Sequence, residues 1–239
     1  RVSLGGVRDG VIVDGTAGQG GHTELFLERT PDSVRVLAFD RDGSAVEAAS
    51  ARVARFGDRV RFFHRGYETL ADTLAETGEG PVRGILLDLG LSSTQLASDR
   101  GFSFTHEDDV LDMRFDATNG PTVAEWIRST SENELERVLR EYGEFGGAKR
   151  LARLLKDLAR QGRLRTVGEF AAACREILGD RVRKMPSPTL PAQALRIAVN
   201  GELDRLDAFL AGLPGCLAPG GRCAILSFHS LEDGRVKRA

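Results

Sequence analysis

The chain has 239 residues, of which 41% are hydrophobic and 28% charged, and its formal net charge is −2. These values are typical of a globular protein with one large domain or one domain that carries an insertion, and no apolar run reaches the roughly 18 residues needed to cross a bilayer. Three cysteines without a close pair and four scattered histidines argue against a disulfide framework and against a metal site.

The charge is distributed unevenly along the chain. Residues 137–196 contain 14 lysines and arginines against 6 acidic residues. The overall charge argues weakly against a nucleic-acid partner, whereas this local excess is what a polyanion prefers. A solvated helical surface explains the excess equally well, so composition leaves both interpretations open.

The first third of the chain predicts alternating strands and helices. Continuous apolar runs at residues 11–13, 36–40, 60–64 and 85–88 predict four strands, and an alanine-rich stretch at 44–56 predicts a helix. Continuous rather than alternating apolar runs favour parallel strands that are buried on both faces. Strands and helices in alternation predict a doubly wound, mostly parallel sheet of the α/β class.

The pattern then changes to helical periodicity without a strong strand signal over residues 98–192. Three prolines at residues 185–191 predict a non-helical linker. Helices are predicted again at 192–199 and 202–213, followed by a turn at 217–221 and a fifth strand at 223–228. We therefore expect a core formed by residues 1–97 and 197–239, with an inserted helical substrate-recognition domain at 98–196.

Residues 14–22, with the sequence Asp-Gly-Thr-Ala-Gly-Gln-Gly-Gly-His, predict a cofactor cradle. A strand that runs into glycines and then into a helix lets the backbone approach a ligand closely. The third glycine of the dinucleotide fingerprint is missing, which disfavours NAD. The carboxylate of Asp14 would repel a pyrophosphate but suits a cationic ligand that carries an amino acid, which favours S-adenosylmethionine. A glycine turn without a ligand is the remaining alternative.

Two further acids and one tyrosine follow predicted strands. Asp40 ends the second strand and can accept hydrogen bonds from ribose hydroxyls, while Asp42 is the better candidate for the cap of the next helix. Tyr67 can pack on an adenine face or belong to the core. Asp88 ends the fourth strand, at the edge where open α/β sheets bind ligands, and a buried acid there needs a partner.

The string that begins at Asp88 resembles the signature of the bacterial 16S rRNA cytosine-N4 methyltransferase family. The motifs are Asp-Leu-Gly-Leu-Ser-Ser-Thr-Gln-Leu at 88–96, Arg-Gly-Phe-Ser-Phe at 100–104, Leu-Asp-Met-Arg at 111–114, Gln-Ala-Leu-Arg-Ile at 193–197 and Ser-Phe-His-Ser-Leu-Glu-Asp at 227–233. The resemblance implies a Rossmann-like methyltransferase core with an inserted helical domain. It also implies contacts to S-adenosylmethionine by Gly20, Gly21, His22, Asp40, Tyr67, Asp88 and Gln95.

The chain departs from the family pattern in several places. The linker at 185–191 differs, the usual His-x-Pro-Val-Leu segment does not precede the first strand, and the family continues beyond residue 239 with strands that we expect in a longer chain. The segment after Asp88 also lacks the Pro-Pro-aromatic motif of DNA amino-methyltransferases. No residue is assigned as the catalytic base.

The resemblance implies methyl transfer to the exocyclic N4 of a cytidine in the decoding region of 16S rRNA, in the cytoplasm, with no membrane partner. The target base must be unpaired or extruded. Candidate RNA contacts are Arg100, Arg114, Lys184, Arg196, Asn200 and His229. The alternatives are a methyltransferase with a non-RNA substrate, a non-catalytic ribosome-assembly factor and, least favoured, an NAD(P)-dependent oxidoreductase.

Overall fold

The computed structural model describes residues 6–239, which form two compact units. The first unit comprises the chain up to Thr94 together with Leu203–Ala239, and the second comprises Gln95–Glu202. The insertion therefore begins three residues before the predicted start at 98 and ends six residues after the predicted end at 196. Among residues 6–239 no helix is both long enough and apolar enough to span a membrane.

A five-stranded sheet organises the first unit, and its neighbouring strands all pair in parallel. This confirms the predicted α/β class with a parallel sheet. The order across the sheet is β3-β2-β1-β4-β7. The strands of the chain are β1 (Gly10–Asp14), β2 (Val34–Asp40), β3 (Val60–His64), β4 (Val82–Asp88), the two-residue β5 (Arg181–Val182) and β6 (Met185–Pro186) of the second unit, and β7 (Leu217–Leu226).

The helices surround this sheet in the first unit and make up most of the second. They are α1 (Gly21–Arg29), α2 (Gly43–Val53), α3 (Leu70–Thr77), α4 (Ser93–Leu96), α5 (Val123–Ser129), α6 (Glu132–Gly143), α7 (Ala148–Arg160), α8 (Val167–Leu178), α9 (Thr189–Asn200), α10 (Glu202–Cys216) and α11 (Ser230–Val236). Short 3-10 turns follow α2 at Ala54–Arg59 and precede α3 at Tyr67–Thr69.

Strand β1 shows why the apolar runs are continuous. Val13 is buried in one hydrophobic cluster with Phe39 and Leu87, whereas Ile12 is buried in another cluster with Val36. Because successive side chains of a strand point to opposite faces, a strand covered on both sides needs an apolar residue at every position.

The strand order creates a crevice between β1 and β4. The chain proceeds outward from β1 through β2 to β3, then returns to place β4 on the other side of β1. Connections therefore leave the carboxyl ends of these two strands in opposite directions, and such a switch point is where open α/β sheets bind ligands. The glycine loop after β1 and Asp88 at the end of β4 both lie at this edge.

Strand β7 differs from the predicted strand at 223–228. It starts at Leu217, which pairs with Val82, and the next pair is Gly84 with Arg222. The register shift accommodates the residues that read as a turn in the sequence, because an irregularity in one strand can absorb extra residues without ending the pairing. The predicted helix at 44–56 likewise ends earlier, at Val53.

The second unit corrects two predictions at residues 185–191. Met185 and Pro186 form β6, which pairs antiparallel with β5, although no strand was expected here. The helix α9 already begins at Thr189, so Pro191 is its third residue. Proline is tolerated in the first turn because amide hydrogens there have no acceptor within the helix. The second unit extends beyond the predicted end at 196 because α9 continues to Asn200. Gly201, with a φ of 60°, terminates this helix.

A buried lysine stabilises the end of α5. The ammonium of Lys156, on α7, donates to the carbonyl oxygens of Ile127, Arg128 and Thr130 at 2.9, 2.9 and 2.5 Å. These carbonyls belong to the last turn and exit of α5, where no amide of the helix can reach them. Burial lowers the pKa of this amine.

Candidate active site

The loop that follows β1 is held against both neighbouring strands. The amide of Gly15 donates to the carbonyl of Leu86 on β4 at 2.8 Å, and the amide of Ala17 donates to the carbonyl of Phe39 on β2 at 2.9 Å. The loop therefore crosses the carboxyl edge of the sheet in a fixed position. A Cβ added to Gly15 would lie 2.2 Å from the Leu87 side chain, so the close approach requires glycine.

Gly20 ends this loop and caps α1. Its φ of 81° is left-handed, and an added Cβ would lie 3.1 Å from Ala49 on α2. Among the described residues no side chain caps the helix at this end. The amides of Gly21 and His22 thus lie in the first turn, where unsatisfied N–H groups and the helix dipole favour a negatively charged group of a ligand.

Asp40 fixes the loop from the end of β2. One carboxylate oxygen accepts from the amide of Gly18 at 2.8 Å, and the other accepts from the amide of Asp42 at 2.9 Å. Burial raises the pKa of Asp40 above its ordinary value. Each carboxylate oxygen can accept a second hydrogen bond, which is what a ribose diol would supply. Asp42 accepts from the amide of Ser44 and caps α2, as predicted.

Asp14 does not face a ligand, which corrects the role expected for it. Its side chain is fully buried and accepts from the Thr23 hydroxyl at 2.6 Å and from the Thr16 amide at 3.3 Å. Burial is the main cause that raises the pKa of this carboxyl. Asp14 therefore ties the glycine loop to the first turn of α1, and any preference for a cationic ligand must come from other residues.

Asp88 is the acid that remains available at the end of β4. Its backbone amide donates to the Thr16 hydroxyl at 2.7 Å, which links β4 to the glycine loop. Its Oδ2 atom lies 3.9 Å from Nδ1 of His22. Its Oδ1 atom is buried and has no hydrogen-bond partner among residues 6–239. A buried acceptor without a partner costs about 1–3 kcal/mol, so Asp88 is placed to accept a hydrogen from a bound molecule.

Tyr67 and Gln95 complete the predicted cofactor residues. The half-buried ring of Tyr67 packs edge-on against Phe209, with ring centroids 5.6 Å apart, and its Cβ lies beside Gly15. Tyr67 thus belongs to the core and also borders the glycine loop. Gln95 is buried, but it belongs to the second unit. The structure brings the other six residues together in the first unit.

The predicted RNA contacts fall mostly into internal pairs. The guanidinium of Arg114 is held by Asp112 at 2.7 Å, and Arg100 donates to the carbonyls of Arg114 and Phe115. Both arginines therefore order the segment between α4 and α5. This placement gives them a structural role within the second unit, and contacts with RNA stay a prediction for them.

Arg196 and Asn200 correct the prediction more strongly. Arg196 is paired twice with Glu202, at 2.8 and 2.9 Å, and its side chain is only 11% exposed. Asn200 is buried, accepts from the amide of Phe115 and donates to the carbonyl of Met113. An amide with both ends occupied in the interior is not available to RNA, so Asn200 is a packing residue of the second unit.

Lys184 and His229 have different surroundings. Lys184 is exposed at the tip of the β5–β6 hairpin. In the first unit, His229 lies with its Nε2 atom 3.2 Å from the buried carboxylate of Glu232, and its side chain is 10% exposed. Burial and this neighbour make His229 a poor contact for a phosphate.

Sequence reasoning missed two residues at the edge of the sheet. Thr16 joins the loop to β4, and Phe228 stands exposed after β7. Thr16 lies in the glycine-rich stretch at 14–22 and Phe228 in a motif that carried the resemblance, but a hydroxyl that bonds to a backbone amide has no sequence signature. The exposure of Phe228 depends on where β7 ends, which the sequence misplaced by two residues.

A parallel sheet with a glycine loop at its switch point, and carboxylates at the ends of β2 and β4, defines a cofactor-binding α/β enzyme of the S-adenosylmethionine-dependent methyltransferase class. Residues 3–239 match the family described as the MraW methylase family. The chain belongs to this family.

The relatives have consistent names. Ribosomal RNA small subunit methyltransferase H of Sorangium cellulosum is 45% identical over 239 residues, which cover 99% of this chain and 75% of that protein. The protein of the same name from Nitrosospira multiformis is 45% identical over 235 residues, covering 96% and 72% of the two chains.

Solved structures give a weaker likeness. An rRNA methylase from Streptococcus thermophilus is 26% identical with a TM-score of 0.29, over 37% of this chain and 49% of that chain. A methyltransferase from Streptococcus mutans in complex with SAH is 19% identical with a TM-score of 0.30, over 36% and 46%. Likeness at this level has no functional meaning.

Proposed function

We propose that the protein transfers a methyl group from S-adenosylmethionine to the exocyclic N4 of a cytidine in 16S rRNA of the small ribosomal subunit, in the cytoplasm. The observation that carries the proposal is the Asp88 carboxylate at the switch point beside the glycine loop, with one buried oxygen that has no partner in the part of the chain that the structure describes. Family membership and the names of the relatives support the substrate.

The first unit offers suitable groups for the donor. The amides in the first turn of α1 suit its carboxylate, and Asp40 suits its ribose hydroxyls. Gly20, Gly21, His22, Asp40, Tyr67 and Asp88 of the first unit would hold it. When bound, S-adenosylmethionine supplies an electrophilic methyl group on a positively charged sulfur.

The acceptor nitrogen sets the chemical demand on the protein. The lone pair of the exocyclic amine is delocalised into the cytosine ring, so the amine is a poor nucleophile. As its lone pair forms the new N–C bond, the C–S bond breaks and an N–H proton must leave. A carboxylate that accepts a hydrogen bond from this amine orients it and restores electron density to nitrogen, which is worth most in a site fixed in advance. Asp88 has the position and the available oxygen for this task.

The second unit supplies cations for RNA. Lys149, Arg150 and Arg153 are exposed on one face of α7, and no carboxylate of the described chain lies within ion-pair distance of them. Arg183 and Lys184 form the tip of the β5–β6 hairpin and are also exposed. Phosphate contacts position a nucleic acid without reading its sequence, so flexible surface cations suffice.

The test is methylation of small subunits purified from cells that lack this activity, with the product nucleoside identified by mass spectrometry. We expect N4-methylcytidine at one position. Methylation of another molecule instead would establish a different substrate for the same site. Donor binding without any methylation would favour a non-catalytic assembly factor. NADH binding without donor binding would favour the alternative of an NAD(P)-dependent oxidoreductase.

The donor site is tested by calorimetric titration of S-adenosylmethionine into Asp40→Ala. Loss of the ribose contacts and of the loop anchor should weaken binding by at least about tenfold, since hydrogen bonds to a charged group contribute about 1.5–3 kcal/mol each. Asp32→Ala is the matched control, because Asp32 is an exposed acid just before the opposite end of β2. Equal donor affinity in the two variants would refute the assignment of Asp40.

A further inference from the structure

Phe228 is the most exposed large hydrophobic side chain among the described residues. It is 69% exposed, and it is the only aromatic among the large hydrophobic side chains that residues 6–239 expose. It follows β7 by two residues and so lies at the carboxyl edge of the sheet, where the parallel strands end. Single exposed hydrophobic residues are common, so its meaning depends on its surroundings.

The ring of Phe228 lies against the segment that leaves β4. A Cβ added to Gly90 would lie 3.0 Å from Cδ2 of Phe228, so the ring occupies the space that a side chain at 90 would fill. Gly90 has a φ of 110°, which side chains rarely adopt. It follows Asp88 by two residues, and Asp88 itself pairs with Leu226 across the sheet. The exposed ring and the available carboxylate therefore lie at the ends of adjacent strands, at the same edge of the sheet.

The backbone of Phe228 is held in place. Its amide donates to Oε2 of Glu232 at 2.9 Å, and Glu232 is a buried acid in the first turn of α11. A buried carboxylate that anchors this amide fixes where the side chain starts. The same bond satisfies a backbone amide at the start of α11, as acids in the first turn of a helix commonly do.

We propose that Phe228 is a positioning residue for the acceptor, on which the extruded cytosine stacks so that its exocyclic amine is presented to Asp88. Enzymes that modify a base hold it between aromatic or apolar faces after it leaves the helix. The segment after β4 has no aromatic residue of its own, since it reads Leu-Gly-Leu-Ser-Ser at 89–93. Here β7 supplies the ring from the neighbouring strand, and Gly90 leaves room for it. The inference rests on the proposed function.

The test compares Phe228→Leu and Phe228→Trp in steady-state methylation of small subunits. Leucine keeps an apolar side chain but removes the aromatic face, and we expect KM for the subunit to rise, or kcat to fall, so that kcat/KM falls about tenfold. Tryptophan keeps an aromatic face and should retain activity within about threefold of wild type. The donor affinity and the thermal midpoint of both variants should match wild type, because the side chain is mostly exposed.

Leu25→Ala is the control, since Leu25 is also an exposed hydrophobic residue of the first unit but lies on α1. It should leave kcat/KM unchanged. Equal kcat/KM for Phe228→Leu and wild type would overturn this inference but not the proposed function. An equal loss of kcat/KM in the leucine and tryptophan variants would have the same meaning, because it would indicate packing rather than stacking. A wild-type protein that binds donor but methylates no cytidine would overturn the proposed function and, with it, the role of Phe228.

Discussion

At the scale of single residues, two acids at neighbouring strand ends do different work. Asp14 is fully buried and joins the glycine loop to α1, whereas Asp88 has one buried oxygen without a partner among residues 6–239. The sequence offers no way to distinguish them, because both follow an apolar run and precede glycine-containing segments. The difference comes from Thr23, whose hydroxyl happens to reach Asp14 from the first turn of the helix.

Asp14 predicts an unusual pH dependence. Burial raises its folded-state pKa above the ordinary 3.8, so its neutral form is favoured on folding. Its contribution to stability is therefore fully present below about pH 4 and is lost as pH rises through the raised pKa. The difference in unfolding free energy between wild type and Asp14→Asn, from urea denaturation, should decrease from about pH 3.5 to pH 7.

Glu24 provides a control of opposite sign. Its hydrogen bond from Arg52 lowers its pKa below the ordinary 4.5, so its contribution to stability is present above about pH 4.5 and is lost as pH falls through the lowered value. The corresponding difference for Glu24→Gln should increase, slightly, over the same range, because this pair is exposed. If the Asp14 difference also increased with pH, burial would not dominate the titration of that carboxyl.

At the scale of elements, the β5–β6 hairpin combines charge with backbone strain. Arg183 and Lys184 are its two turn residues, with φ of 47° and 72°. A two-residue hairpin turn with both φ values positive normally uses Asn-Gly, because other side chains are strained there by about 1 kcal/mol or more. Two long cations in such a turn indicate that the hairpin tip is kept for a purpose other than stability.

The double variant Arg183→Asn, Lys184→Gly separates strain from charge. It gives the turn its preferred residues, so the unfolding free energy should rise by about 1 kcal/mol. It also removes two cations, of which Arg183 lies 3.9 Å from Glu144, so RNA affinity should fall and the slope of log affinity against log salt should decrease by about one to two. The exchange Arg183→Lys, Lys184→Arg retains both charges and should change neither quantity. Unchanged salt dependence of RNA binding in the double variant would show that the hairpin does not contact the RNA.

At the scale of the whole molecule, charge is balanced overall but locally separated. The net charge is −2, and the second unit has 17 basic and 17 acidic residues. Within that unit, basic residues outnumber acidic ones over residues 137–196. Three of these cations, Arg137, Arg140 and Arg160, are already paired with acids of their own helices, as Arg137 is with Glu134 and Glu141. Only the cations that are not paired can replace the counterions of a polyanion at low cost.

The triple variant Lys149→Gln, Arg150→Gln, Arg153→Gln tests this distinction. We expect it to weaken binding to small subunits and to reduce the salt slope by about three, because each unpaired cation releases about one counterion. Donor affinity should stay at the wild-type value, since these residues belong to α7 of the second unit.

A second triple variant has the same change in charge. Arg137→Gln, Arg140→Gln, Arg160→Gln removes three cations that are paired with Glu134, Glu136 and Asp157 among others. It should reduce the salt slope by clearly less. If the two triple variants behaved alike, general electrostatic attraction rather than the face of α7 would account for RNA binding.

The sequence predicted the parts of the fold that depend on buried apolar runs. The first four strands and the helices of the second unit follow from local patterns, because covering both faces of a sheet, or one face of a helix, dictates residues at fixed spacing. Residues 185–191 were misread because a proline count does not reveal that Pro191 occupies the first turn of α9. Strand β7 was misread because its pairing with β4 continues past an irregularity.

The site was predicted unevenly for a similar reason. Asp40 and Asp88 end β2 and β4 as expected, and Asp42 is confirmed as the cap of α2, whereas contacts of Asp40 and Asp88 with the donor stay a prediction. Asn200 and Arg196 were assigned to RNA from their residue types, but the structure pairs both within the second unit. Residue type and order along the chain do not report whether a polar group is already satisfied by a residue 85 or 87 positions away.

The pairing of β4 with β7 has a consequence for how the protein assembles during synthesis. Val82 and Leu217 are neighbours in the sheet, yet the entire second unit is translated between them. Closing so long a loop adds little to the entropic cost, about 0.6 kcal/mol for each doubling of length, but it delays the contact. The emerging chain therefore has β4 as an unpaired sheet edge until β7 leaves the ribosome, and during that interval this edge is the part of the molecule most in need of protection by chaperones.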